Sequence, residues 1–242
     1  MYPLAKEIED AFEKSSALIV EVDINRVDAQ GMQAMILSNG LYAGDETLWQ
    51  HVDGDTRAKL EKFCDKYGFP AVAMAKLKPW MAAMMAATLP MAKSGMEAGL
   101  GIDKYFIDKA GKANKKIVEA ESAEWQVKLL SGFPEDVMQK YLAAALEDDS
   151  SEKIRQIQDA WMSGDTRRLD DMIHEKSNVP AEISRGMLEN RNPHMADVAE
   201  QYLKGKEPAL MVVGAAHMVG EEGIVKLLEK RGYKVEQVAL AR

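Results

Sequence analysis

Leu4, Ile8 and Phe12 recur at four-residue spacing in "PLAKEIEDAFEKS", a pattern that predicts an amphipathic helix with Pro3 near its start. The pattern then changes. "ALIVEVD" is an almost unbroken apolar run, the signature of a strand buried on both faces of a parallel sheet. A long, mostly helical stretch follows. "DTRAKLEKFCDKYG" predicts a helix stopped at Gly68, and "KPWMAAMMAATLPMA" predicts another. "KKIVEAE" reads as a short strand. "AEWQVKLLSG", "PEDVMQKYLAAALED", "SEKIRQIQDAWMSGD", "TRRLDDMIHEKS" and "PAEISRGMLENRNPHMADVAEQYLKGK" read as further helices with short breaks. The chain then returns to a strand, "PALMVVGAAH", a helix, "MVGEEGIVKLLEKRG", and an expected final strand, "YKVEQVAL".

Strands near both ends and helices between them predict an α/β fold. We expect a mixed central sheet assembled from both termini, with a helical insertion over about 45–205, all in one domain spanning 1–242. The two ends also resemble each other. "LAKEIEDAFEKSSALIVEVDI" and "EEGIVKLLEKRGYKVEQVAL" are each an amphipathic helix, a short turn and a valine-rich strand. Only the second copy has a strand ahead of its helix, the one that ends in "GAAH". A strand–helix–strand unit needs its first strand for the helix to cross over and pack. A duplicated unit therefore predicts a counterpart of that strand upstream of Met1, and an unpaired sheet edge where it is missing. Such an edge favours self-association, so a homo-oligomer is expected.

Bulk properties narrow the classes. A 242-residue chain that is 47% hydrophobic buries a sizeable core. A formal net charge of -8 and a pI near 5.2 disfavour nucleic acid as a partner. The single cysteine, Cys64, excludes an internal disulfide and a thiolate metal cluster. The most apolar window is interrupted by Lys76, Lys78, Pro79 and Pro90, so no membrane span is predicted. The first residues lack the basic start and small-residue cleavage site of an export signal.

The candidate chemistry lies where strands end. His217 follows a buried strand, at the edge where α/β sheets place ligands, and Gly214 three residues earlier permits a close approach. A histidine there ligates a metal, acts as acid or base, or simply opens a helix through a hydrogen bond. In "ALIVEVD", Leu18, Val20 and Val22 share one face while Ile19, Glu21 and Asp23 share the other. A carboxylate at Glu21 is costly in so apolar a strand unless it is paired or reactive; Asp23, at the strand end, is expected to face solvent. Arg191 suits a buried carboxylate or an anionic group, and Asn192 suits a helix cap. Glu121 ends the middle strand. His194 is expected on an exposed face, and His51 and His174 on the surface without partners. There is no HExxH pair, no GxSxG elbow and no phosphate-binding loop.

Taken in order, "YPLAKEIEDAFEKSSALIVEVDI", "LKPWMAAMMA", "GIDKYFIDKAGKANKKIVEAESAEWQVKLLSG", "MLENRNPHMADVAEQYL" and "VVGAAHMVGEEGIVKLLEKRGYKVEQV" resemble the TraB/PrgY/GumN family, which is related to the Tiki proteases and more distantly to ChaN-like and erythromycin-esterase-like proteins. The family pattern has two GxxH motifs, a strand glutamate after the first and an Arg-Asn pair before the second. Gly214 and His217 match the second GxxH, Glu21 the strand glutamate, Arg191 and Asn192 the pair, and Glu121 an acidic position ending the middle strand. The first GxxH has no match, because "YPL" corresponds to the loop that follows it. The resemblance implies a metal-dependent hydrolase of peptide or ester bonds, and the missing first motif implies a chain that is inactive or weakly active. Glu21 and His217 would be its divalent-metal ligands. Glu21, His217 and Arg191 would be its catalytic groups, and Asn192, Gly214 and Glu121 would contact substrate. It also implies an exported or periplasmic setting. The alternative is a module that binds a peptide or small molecule without turnover.

Overall fold

The computed structural model describes residues 2–147, 150–175, 178–205 and 207–239. The first helix, α1 (Lys6–Lys14), leads directly into β1 (Ala17–Val20). Helices α2 (Ala29–Gly40), α3 (Gly54–Tyr67), α4 (Pro79–Lys93) and α5 (Ile102–Lys112) come before β2 (Lys116–Glu119). Six more helices follow: α6 (Ala123–Ser131), α7 (Glu135–Glu147), α8 (Ser150–Ser163), α9 (Thr166–Asp170), α10 (Ala181–Ser184) and α11 (Asn192–Leu203). The last elements are β3 (Ala209–Val212) and α12 (Ile224–Lys230). The fold is α/β with a large helical part, as the hydropathy pattern predicts.

The sheet has the order β2-β1-β3, and both pairings are parallel rather than mixed. All four residues of β1 are buried, as expected of a central strand with an apolar run. The pleat divides them. Leu18 and Val20 pack with Ile8 and Phe12 of α1 and Phe106 and Ile107 of α5. Ile19 packs on the other side with Met195 of α11 and Ile224 of α12. The sheet is thus the middle of three layers. Each large apolar side chain buried in this way contributes roughly 1.5–3 kcal/mol. A second core lies among α3, α4 and α7, around Leu60, Ala82, Ala83 and Leu142.

The expected final strand does not join this sheet. Residues 233–239 have no strand partner, and Leu240 lies outside the described residues. Side-chain contacts hold the segment instead: Tyr233 Oη donates to Glu200, and Gln237 donates to the Gly164 carbonyl at 2.8 Å. The helix stop at Gly68 is as predicted. Its φ of 67° lets its N–H return to Cys64 and Asp65.

Lys115 closes the C-terminal end of α1. Its ammonium donates to the carbonyls of Phe12 at 2.8 Å, Glu13 at 3.1 Å and Ser15. These carbonyls lie at the negative end of the helix dipole, where the Phe12 carbonyl also accepts from Ser15 N and Oγ. Lys115→Met keeps the aliphatic stem and removes the donors. The expected loss is about 1.5–3 kcal/mol in urea unfolding. An unchanged midpoint would show that water replaces the ammonium there without cost.

Candidate functional site

All three strands end at one edge, and the polar residues gather just beyond it. The β1–β2 pairing continues past the strands: Ala120 N donates to Val20 O at 2.8 Å, and Glu121 N to Glu21 O at 2.9 Å. This places Glu21 and Glu121 side by side. After β3 the chain turns tightly, with His217 N donating to Gly214 O at 2.9 Å. The GxxH spacing is the span of that turn, which brings Gly214 N–H and the His217 ring to the same edge. Arg191 arrives from the N-terminal end of α11. There Arg191 N bonds Leu188 O rather than Met187 O, and the Met187 carbonyl accepts from Arg191 Nη1 at 2.7 Å.

Arg191 grips both carboxylates. Nε donates to Glu121 Oε1 at 2.8 Å, and Nη2 donates to Glu121 Oε2 at 2.6 Å and Glu21 Oε2 at 2.9 Å. A planar fork on one carboxylate with a reach to a second is the geometry that distinguishes arginine from lysine. Gln126 Nε2 donates to the same two residues, Glu121 at 3.0 Å and Glu21 at 3.3 Å. Gly214 N donates to Glu21 Oε1 at 2.8 Å. A Cβ at position 214 would sit 3.3 Å from that oxygen, so glycine here permits the approach of Glu21. The Arg191 and Glu121 side chains are 5% and 4% exposed, whereas Glu21 retains 23% and is the accessible face of the cluster. Trp125 lies beside it, its ring 5.9 Å from the guanidinium.

His217 is buried, with Nε2 3.9 Å from Glu21 Oε2. Nδ1 lies 2.6 Å from Asn192 Oδ1, and Asn192 Nδ2 donates to the Glu222 carbonyl at 2.7 Å. Asn192 therefore makes no side-chain cap for α11, contrary to expectation. Burial lowers the pKa of His217, helped by the Arg191 charge; Glu21 and Glu121 pull the other way and do not reverse it. Burial alone would raise the Glu121 pKa, but the hydrogen bonds of Arg191 and Gln126 and the guanidinium charge bring it below the ordinary value.

Two acid-sensitive steps follow. A histidine whose pKa is depressed in the folded state contributes stability above its ordinary value of 6.5, lost as pH falls toward the folded value. A depressed glutamate contributes stability above 4.5, lost as pH falls further. The melting temperature is expected to drop in two stages on acidification. The upper stage should vanish in His217→Gln; its persistence would assign it to another group.

The structure brings Glu21, Glu121, Arg191, Asn192, Gly214 and His217 into this one cluster. Gln126 also belongs to it, and nothing in the sequence pattern marks it. Asp23 does not face solvent. It is 2% exposed, because its N–H is drawn to Glu119 Oε1 at 2.9 Å as the chain leaves the strand. His51 and His174 are half-buried and paired rather than free. His51 contacts Glu46 and Glu135 and stacks on Tyr42, and His174 pairs with Asp170 at 2.6 Å. His194 is exposed, as expected, with Nε2 at 2.9 Å from the Ala120 carbonyl.

A divalent ion needs at least three or four converging donors. Both oxygens of Glu121 already accept from Arg191. The Glu21 oxygen nearest His217 accepts from the same guanidinium, which would repel a cation placed there. Among the described residues no group of three or more His, Cys, Asp or Glu side chains is arranged to hold a metal. As arranged, these residues do not fit a divalent ion.

Fold and cluster together define an α/β protein with a polar site at the carboxyl edge of a parallel sheet. A sequence profile of the TraB/PrgY/gumN family matches residues 1–237, and the chain belongs to that family. Among its relatives are the uncharacterized protein YbaP of Escherichia coli (strain K12) and that of Shigella flexneri. Each is 22% identical over 235 residues, covering 94% of this chain and 82% of the relative. No solved structure matches significantly. Among the described residues no helix is long and apolar enough to cross a membrane.

Proposed function

We propose that this chain hydrolyses peptide or ester bonds by acid–base catalysis, with His217 as the base. The observation that carries the reading is a buried histidine, its pKa lowered by burial, with Nε2 3.9 Å from a carboxylate oxygen of Glu21, whose side chain is 23% exposed. One water spans two acceptors at that spacing with hydrogen bonds of about 2.8 Å. It gives one hydrogen bond to Nε2 and one to Glu21, which leaves its lone pairs for the carbonyl carbon. As the water oxygen bonds to the carbonyl carbon, Nε2 takes its proton. The imidazolium is stabilised by Glu21, then returns the proton to the leaving nitrogen or oxygen as the acyl bond breaks. Arg191, Glu121 and Gln126 hold Glu21 in place and are positioning residues. The test is a panel of peptide and ester substrates assayed with and without a metal chelator. Turnover that survives chelation supports this scheme, and turnover abolished by chelation overturns it.

One observation favours a second reading. Gly214 N, Gln126 Nε2, and Arg191 Nε and Nη2 all point onto carboxylates, an arrangement that holds anions of the protein rather than an oxyanion of a substrate. A site that binds a peptide or small molecule without turnover fits that feature. It predicts saturable binding, lost in Glu21→Gln, with no product across the panel.

A further inference from the structure

We infer that Asn192 is a positioning residue that sets the tautomer of His217, and that it takes its own orientation from the Glu222 carbonyl. This rests on the reading of His217 as a base only for its catalytic consequence; the tautomer assignment stands on contacts alone. A backbone carbonyl only accepts, so the end of the Asn192 amide facing Glu222 O at 2.7 Å is the NH2 group. The other end is then Oδ1, which also only accepts, and it faces His217 Nδ1 at 2.6 Å. Nδ1 therefore carries the hydrogen. A neutral imidazole has one ring hydrogen, so Nε2 carries the lone pair, on the side of Glu21. Asn192 and His217 are 2% and 4% exposed, which leaves little room for water to replace either bond.

The reference point of this relay is firmly built. Glu222 lies in the turn before α12, where Gly223 N donates to Gly220 O at 3.1 Å. A Cβ on Gly223 would meet the Val219 carbonyl oxygen at 2.4 Å and its carbon at 2.7 Å, so the backbone closes on itself more tightly than any side chain allows. The protonation pattern of a ring at the end of β3 is thus dictated by a backbone carbonyl five residues further on, with one amide between them. The resemblance assigns Asn192 to substrate contact; the geometry points to a role behind the base instead.

The experiment is nitrogen-15 NMR of the histidine ring nitrogens in the full chain without substrate, at a pH above the ordinary histidine range, with His217 assigned by its loss in His217→Gln. The expected result is a single tautomer with Nδ1 protonated and Nε2 bare. A protonated Nε2, or an exchange-averaged mixture, overturns the proposal. Asn192→Leu, which has neither donor nor acceptor, is expected to convert the signal to a mixture. Asn192→Asp keeps an acceptor for Nδ1 but loses the donor to the Glu222 carbonyl, so Nδ1 is expected to stay protonated while the ring is charged over a wider pH range, and a bare Nδ1 in that variant overturns the proposal. Retention in Asn192→Leu overturns the role of Asn192, and if that variant does not fold, the wild-type and Asn192→Asp spectra still decide. With an active substrate, Asn192→Leu should lower kcat about 100-fold with little change in KM. If no substrate is turned over, the hydrolase reading fails while the tautomer result stands.

Discussion

Arg191→Ala is expected to lower the unfolding free energy by about 3–5 kcal/mol, the scale for removing one partner from a buried ion pair. The guanidinium is the cation on Glu121, which is 4% exposed, and it also holds Glu21. Its loss leaves two adjacent carboxylates with only Gln126 and the Gly214 N–H between them and mutual repulsion. One would take up a proton, at a further cost near neutral pH. Arg191→Lys should fall between, because an ammonium keeps the charge but not the two-pronged grip. Arg191→Met combined with Glu21→Gln and Glu121→Gln should recover much of the loss, since the penalty comes from uncompensated charge rather than from missing volume. Urea unfolding at neutral pH measures all three. An unchanged midpoint in Arg191→Ala would mean that the cluster is held by something other than its charge balance.

The second large effect is on turnover. His217→Gln is expected to reduce kcat/KM by about 10²–10⁴-fold toward whichever ester or peptide proves to be a substrate, the usual contribution of a positioned general base. Glutamine can still pair with Asn192, so the fold should survive and near-ultraviolet circular dichroism should be unchanged. The pH profile is a separate check. A base works when neutral, and burial holds His217 below the ordinary value of 6.5, so the acid limb of the rate should also lie below it. An acid limb at or above that value would place the base elsewhere.

Some of this architecture could be read directly from residue patterns, and the reasons are local. The unbroken apolar run around Ile19 announces a strand with both faces covered, and Glu21 stands out because a carboxylate there needs a reason. His217 is visible because GxxH is a turn with a fixed span. Contacts between distant segments leave no such trace. Gln126 is one more glutamine on an amphipathic helix until Glu121 and Glu21 are brought beneath it. No partner of His51 is legible in the sequence, because Glu135 lies on a distant helix and only the folded loop brings Glu46 back to the ring. Asp23 stands at a strand end, a position that predicts exposure, yet its N–H bonds the Glu119 side chain there and the residue is 2% exposed. The final valine-rich segment has the composition of a strand, yet propensity alone does not create a neighbour to pair with.

The central position of β1 also bears on how the molecule is made. Ala17 pairs with Lys116 on one side and Ala209 on the other, so the strand that emerges first from the ribosome receives its last neighbour nearly at the end of synthesis. In the interval, the helices around Leu60, Ala83 and Leu142 can assemble from contacts closer in sequence. Closing the sheet is then the step with the longest chain to organise, and topologies dominated by such distant pairings fold slowly. The cluster of Glu21, Glu121, Arg191 and His217 draws on all three strand ends, so it cannot form before that closure. A nascent or partly unfolded chain therefore has its helical core before it has a site.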